Sequence, residues 1–227
     1  VTRALRAALP SRLVTTYEPH LVVMDVDSTF ITGEVVELLA AHAGSEVLVT
    51  EITERAMRGE IDFAASLHER VATLAGLPES VLADVLAAVE PTPGARELVD
   101  ELDARGWPVG LVSGGFIEIV RPLAASFGIT LTRANALEVV DGRLTGKVSG
   151  PVIDRAAKAV VLREYAAAVG IPMERTIAIG DGANDIDMVV AAGFGIAFNA
   201  KPLLCEAADA VVRERLDAVL DLPAFRP

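Results

Sequence analysis

The chain has 227 residues, 52% of them hydrophobic, enough for one sizeable core or for a core domain carrying an insertion. Its 20 Lys+Arg against 32 Asp+Glu give a formal charge of −12, which disfavours general affinity for nucleic acid or anionic lipid, so any anionic substrate must be held by local groups. A single cysteine, Cys205, excludes an internal disulfide and a multi-cysteine metal site; with no secretory segment and no apolar run of membrane length, the cytoplasm is the expected location.

Residues 1–20 carry Arg and Ala at loosely helical spacing, broken by Pro10 and Pro19, and read as a leader to the first strand. The stretch Leu21 to Thr29, LVVMDVDST, begins as a buried aliphatic strand and ends in two aspartates. In open α/β sheets the ligand site lies just beyond the carboxyl ends of such strands. Asp25 and Asp27 would repel one another there unless they share a proton or a cation, and a hard, oxygen-seeking cation such as Mg²⁺ is the simpler remedy.

Helical spacing follows in Glu34–Ala43, Glu46–Arg58, Asp62–Ala75 and Pro78–Val89, punctuated by Gly44, Gly59 and Gly76-Leu77-Pro78, with no strand between. A helix over Gly94–Arg105 then leads to a strand at Val109–Val112 and to Ser113-Gly114-Gly115. A strand-helix-strand unit needs roughly 30 residues, and far more chain separates Asp25 from Ser113. The excess is an insertion beside the acidic strand end, placed to act as a lid that excludes water. The expected division is therefore 1–32 for leader and first strand, 33–92 for a helical cap, and 93–227 for the rest of the core.

Further on, the spacing predicts a helix over Phe116–Phe127, a hairpin of Leu137–Val140 and Arg143–Val148 around Asp141-Gly142, and a helix over Asp154–Val169. It then predicts a strand at Thr176–Ile179, the loop Gly180-Asp181-Gly182, a helix over Asn184–Ala192, and short strands at Gly195–Phe198 and Ala210–Val212. Strands alternating with helices specify an α/β fold with a Rossmann-like, doubly wound, mostly parallel sheet. Parallel strands pointing one way bring Asp25-Asp27, Ser113-Gly114-Gly115 and Asp181 to one edge, with Lys158 in a neighbouring helix. There Asp25 could attack a phosphorus, Ser113 and the Gly114 and Gly115 amides could hold phosphoryl oxygens, Lys158 could neutralise charge, and Asp181 could complete a metal site.

DVDST, the Ser-Gly-Gly strand end, the helix lysine and GDGANDID together resemble, in order and context, the four motifs of the haloacid dehalogenase superfamily of aspartate-nucleophile phosphatases. The resemblance runs from Leu21 to about Val212 and is strongest to the branch acting on O-phospho-L-serine, since Glu34 and the Met57, Phe63 and Arg70 of AMRGEIDFAASLHERV match that branch's lid residues. It implies Asp25 as nucleophile forming an aspartyl-phosphate, and Asp27 as general acid toward the serine hydroxyl and then general base toward water. It implies one Mg²⁺ held by the Asp25 carboxylate, the Asp27 main-chain carbonyl and Asp181, with Asn184 and Asp185 orienting that shell. Arg70 would grip the substrate carboxylate and Glu34 its ammonium, between the apolar walls of Met57 and Phe63.

Each of these residues has an ordinary counterpart. Asp27-Ser28-Thr29 and Asp181 suit turns or helix caps, most helix lysines are solvated, Arg70 could point to water, and Glu34 suits a helix start. Their joint order separates the readings. Gly142 to Lys147 has the wrong spacing for a Walker loop, Ser113 lacks a G-x-S-x-G context, and His20, His42 and His68 show no metal-ligand spacing. Many bacterial relatives carry a regulatory amino-acid-binding domain ahead of the catalytic one; about 20 residues precede Leu21 in this sequence, so feedback control by serine is not among its expectations. Two alternatives stand: a phosphotransferase or phosphatase of another small ester, and a non-enzymatic phospho-acceptor domain of receiver type.

Overall fold

In the computed structural model, residues 18–57 and 60–226 are described; the leader over residues 1–17 and Arg58-Gly59 lie outside them. A seven-stranded sheet runs β4-β3-β2-β1-β5-β6-β7, formed by β1 (Leu21–Met24), β2 (Val109–Phe116), β3 (Leu131–Val140), β4 (Arg143–Ser149), β5 (Thr176–Gly180), β6 (Phe194–Phe198) and β7 (Ala210–Val212). All neighbours are parallel except the β3–β4 hairpin, which turns at Asp141-Gly142, both at positive φ. This is the mostly parallel α/β sheet that the alternation of elements specifies.

β1 is the central strand, and its four residues are fully buried because both of its faces are covered. Val22 and Met24 enter one hydrophobic cluster, and Leu21 and Val23 the other. That two-sided burial explains why the strand is aliphatic without alternation. Each such side chain, fully buried, contributes about 1.5–3 kcal/mol, so a polar substitution here would cost much of the molecule's margin.

The strand stops at Met24, short of the aspartates. Beyond it, Val26–Phe30 form one wide turn closed by the Ile31 amide on the Val26 carbonyl at 3.0 Å, with Asp27 extended and Ser28 at φ 57°, which places Asp25 and Asp27 at the sheet's edge. Four helices follow before Pro91: α1 (Val35–Ala43), α2 (Glu46–Met57), α3 (Phe63–Ala72) and α4 (Val81–Ala88). Asp62 caps α3 by accepting from the Ala65 amide at 2.7 Å, and Gly44 ends α1 in the left-handed conformation at φ 64°. The chain leaves and rejoins the sheet side by side, through an Ile31–Pro91 bridge and the Thr32 and Thr92 amides bonded to the Glu90 and Phe30 carbonyls.

The helix expected from Pro78 begins at Val81, because Gly76-Leu77-Pro78-Glu79 pairs with β4 instead. Gly76 donates to the Leu144 carbonyl at 2.8 Å, Leu144 to Leu77 at 2.9 Å and Glu79 to Gly142 at 2.8 Å, while Arg143 Nη1 donates to the Gly76 carbonyl at 2.7 Å.

The remaining helices are α5 (Ala95–Ala104), α6 (Ile117–Ser126), α7 (Arg155–Val169), α8 (Ile186–Ala191) and α9 (Pro202–Ala207). α8 is shorter than the predicted helix, since Ala183–Asp185 form a tight turn before it. β3 is longer than predicted and pairs in parallel with β2 from Leu131 onward. The last residues form two short 3₁₀ turns that tuck Phe225 against Trp107, ring centroids 5.8 Å apart. Among the described residues no helix is long and apolar enough to cross a membrane.

Candidate active site

Asp25, at the end of β1, is 2% exposed. Its Oδ1 accepts from the Val26 amide at 2.7 Å and lies 2.8 Å from Lys158 Nζ. Lys158 extends from α7, is fully buried, and reaches Asp185 Oδ1 at 2.6 Å as well. α7 is aimed by its cap: the Asp154 carboxylate accepts from the Ala157 amide at 2.8 Å. Asp185 Oδ2 in turn takes the amides of Asp181 at 3.2 Å and Gly182 at 3.1 Å, which folds the GDGAND loop onto the strand end. Gly180 must be glycine, because a Cβ there would lie 2.5 Å from Asp185 Cβ.

Asp27 occupies a different setting. Its Oδ1 accepts from the Val35 amide at the start of α1 at 2.8 Å, and its Oδ2 from the Ser113 hydroxyl at 2.9 Å. Ser113 Oγ itself accepts from the Gly115 amide at 2.7 Å, and a Cβ on Gly115 would lie 2.6 Å from Asp27 Oδ2. The Ser-Gly-Gly stretch is thus folded tightly on Asp27.

From the helical side, Ser28 Oγ donates to Glu34 Oε1 at 3.1 Å. Arg70 Nε donates to the Ser66 carbonyl at 3.3 Å; burial lowers the Arg70 pKa, while the charges of Glu34, Asp27 and Glu37 oppose that shift. Phe63 packs on Gly114, where a Cβ would meet its ring at 2.9 Å. The structure therefore brings Glu34, Phe63 and Arg70 around the strand ends. Met57 ends α2, and its side chain lies outside what is described. Asn184 sits beside Gly182 in the turn before α8, where a Cβ on Gly182 would collide with its Oδ1.

Three carboxylates, Asp25, Asp181 and Asp185, each offer an oxygen within 4.8 Å of the others. Burial, reinforced by Asp185 and by the other two aspartates against the opposing charge of Lys158, raises the Asp25 pKa well above the usual carboxylate range. Burial with the Asp185 and Glu34 charges pushes Asp181 up to about 7. Burial with Glu34 pushes Asp27 up to about 6, against the Val35 and Ser113 hydrogen bonds and the Lys158 charge. Burial disfavours the Lys158 ammonium, yet Asp185 and Asp25 outweigh it and its pKa is raised. One ammonium among three clustered carboxylates leaves negative charge uncompensated. An all-oxygen donor set with that deficit fits a hard divalent cation.

Two groups that hold this site are invisible to motif reading. The Val35 amide has no side-chain signature. Asn135, buried on β3, donates to the Gly114 carbonyl and accepts from the Ile153 amide, and in a strand that also carries Thr132, Arg133 and Glu138 nothing marks it out.

The profile of the haloacid dehalogenase-like hydrolases matches residues 22–189. A phosphoserine phosphatase of Streptomyces coelicolor is 58% identical over 204 residues, which are 89% of this chain and 50% of that protein. The chain thus spans about half the length of that relative. A phosphoserine phosphatase of Streptococcus thermophilus is 55% identical over 184 residues, 81% of this chain and 86% of that protein. The solved structure of a phospho-aspartyl intermediate analogue of phosphoserine phosphatase superposes with a TM-score of 0.85 at 41% identity, covering 90% of this chain and 99% of that one. These likenesses favour an enzyme over a receiver-type phospho-acceptor. The chain belongs to the haloacid dehalogenase-like hydrolase family.

Proposed function

We propose that this chain hydrolyses O-phospho-L-serine to L-serine and phosphate through an aspartyl-phosphate on Asp25, with Mg²⁺ as cofactor, in the cytoplasm. The observation that carries the reading is the division between the two aspartates: Asp25 lies against the Lys158 ammonium at 2.8 Å, whereas Asp27 is turned away onto Val35 and Ser113. A nucleophile has to be ionised and next to positive charge, and a proton shuttle has to be able to exist protonated, so separate surroundings suit separate roles.

In the first half-reaction an Asp25 oxygen attacks phosphorus while Asp27 protonates the departing serine oxygen. In the second, Asp27 takes a proton from water, which attacks the acyl phosphate and frees Asp25. Ser113, the Gly114 and Gly115 amides and Lys158 would bind the phosphoryl oxygens; the Ser113 hydroxyl would exchange its bond to Asp27, and the Gly115 amide its bond to Ser113, for bonds to substrate. Arg70 would pair with the substrate carboxylate and Glu34 with its ammonium, while Phe63 and Met57 exclude water. The Asp25 and Asp181 carboxylates and the Asp27 main-chain carbonyl would hold Mg²⁺, with Asp185 and Asn184 behind them; the ion would neutralise charge on the transferring group.

The test is phosphate release from phosphoserine and from a panel of small phosphate esters, with Mg²⁺ and with a chelator. Preference for phosphoserine, loss with chelator, and loss by roughly 10³-fold or more in a folded Asp25→Asn variant are expected. Substantial turnover by Asp25→Asn would remove Asp25 as nucleophile. Phosphorylated acceptor in place of free phosphate would make the chain a transferase.

A further inference from the structure

Ser113-Gly114-Gly115 and Lys158 approach the phosphoryl position from different elements, β2 and α7, so their separation has to be fixed by something that spans both. Between Val112 and Phe116, β2 leaves its ladder with β3: Val112 pairs with Arg133 and Phe116 with Asn135, so the intervening residues of β2 bulge away from the neighbouring strand. The Asn135 carboxamide fills the gap. Its Nδ2 donates to the Gly114 carbonyl at 2.8 Å, and its Oδ1 accepts from the Ile153 amide at 2.8 Å. Ile153 directly precedes Asp154, the cap of α7, whose carbonyl accepts from the Lys158 amide at 3.0 Å. A continuous path therefore runs from Gly114 through one side chain to the first turn of the helix that carries Lys158.

We infer that Asn135 is a positioning residue for the phosphoryl site, setting the Ser113–Gly115 bulge of β2 against Lys158. The inference deepens the proposed phosphatase reading and rests on it. Asparagine is suited to the task because one planar group holds a donor and an acceptor back to back. Asn135 is 1% exposed, so water has little access to take over either bond. Leucine has similar bulk and offers neither bond. Threonine, at home in a strand, offers one short hydroxyl that cannot reach both partners. Misplacement by about 1 Å in such a site costs on the order of 10²-fold in rate.

The test compares wild type with Asn135→Leu and, should that variant fail to fold, Asn135→Thr, at a temperature well below the unfolding midpoint of each. Three quantities are read: kcat for phosphoserine and for p-nitrophenyl phosphate, calorimetric binding of inorganic phosphate with Mg²⁺ present, and inhibition by L-serine, which carries no phosphoryl group. A positioning role lowers kcat about tenfold or more for both esters and weakens phosphate binding about tenfold, with L-serine inhibition within about twofold. A purely structural role lowers the unfolding midpoint while kcat and phosphate binding stay within about twofold of wild type, and that result overturns the inference alone. A wild type that neither turns over phosphate esters nor binds phosphate overturns the reading of the site and the inference with it.

Discussion

The main-chain amide of Val35 donates to Asp27 Oδ1 at 2.8 Å, so the first residue of α1 holds a carboxylate that stands at the end of the central strand. The opposite oxygen of Asp27 is held from the sheet by Ser113. In the proposed reaction, proton transfer by Asp27 would thereby be tied to the seating of the helices over the strand ends.

Removing that single N–H is feasible without breaking the helix. Val35 is the first residue of α1, where proline is tolerated, and Glu34 before it has φ −107° and ψ 122°, values that a residue preceding proline accepts. Val35→Pro should slow phosphoserine hydrolysis by roughly tenfold to 10²-fold, within the range ascribed to acid-base groups. With p-nitrophenyl phosphate the leaving group needs no proton, so a rapid burst of p-nitrophenolate equal to the enzyme concentration should precede slow turnover. Val35→Ala, which keeps the N–H, should behave like wild type. Slowing of burst and turnover together would show that the amide matters only for folding.

Arg70→Ala tests the substrate end. Loss of a buried ionic partner costs about 2–5 kcal/mol, which corresponds to about 30-fold or more in kcat/KM for phosphoserine. Hydrolysis of p-nitrophenyl phosphate, which has no carboxylate, should change by less than about threefold. Equal losses on both substrates would argue against a carboxylate clamp.

Cation binding can be read without catalysis. The uncompensated charge of Asp25, Asp181 and Asp185 destabilises the metal-free fold. Mg²⁺ at 100 times its dissociation constant should add about 2.7 kcal/mol of stability, a rise of roughly 5–11 °C in unfolding midpoint for a chain of this size. Asp181→Asn should remove most of that rise. An unchanged midpoint with Mg²⁺ in wild type would contradict a divalent site here.

Away from the site, Glu118 on α6 has one carboxylate oxygen accepting from the Leu137 amide at 3.1 Å, and the other buried with no hydrogen-bond partner. Burial raises its pKa, and the nearby Glu79 charge adds to the shift. A carboxylate raised on folding contributes its stability below the unfolded value, near 4.3, and loses it as pH rises through the folded value. Glu118→Gln should therefore gain stability relative to wild type from pH 4 to pH 8, by less than about 1 kcal/mol because solvent reaches part of the residue and screens its charge. Chemical denaturation at the two pH values checks it; a gap that narrows with rising pH would reverse the sign.

The parts of this site that could be read from the sequence are those where a polar residue interrupts an apolar pattern. Asp25 and Asp27 follow LVVM, Asp181 follows TIAIG, and Ser113 follows VGLV, so strand direction alone places them on one edge. Asn135 makes no such interruption: β3 opens with Leu-Thr-Arg-Ala-Asn, whose mixed character hides a strand that is held in place by β2. The Val35 amide is a main-chain group, with no residue type to announce it. The punctuation around Pro78 suits a helix start, whereas pairing with the distant Arg143 decides its place.

That pairing also bears on how the molecule behaves toward copies of itself. The far strand of a sheet ordinarily presents a row of unsatisfied amides and carbonyls on which another chain can grow. On β4, Leu144 spends both its amide and its carbonyl on the Leu77 to Gly76 turn, and the Gly142 carbonyl before it is spent on Glu79. At the other margin, β7 offers only three residues. The segment that joins α3 to α4 thus shields the hairpin from edge-to-edge aggregation, and loosening it would open that route as well as unseating the helices.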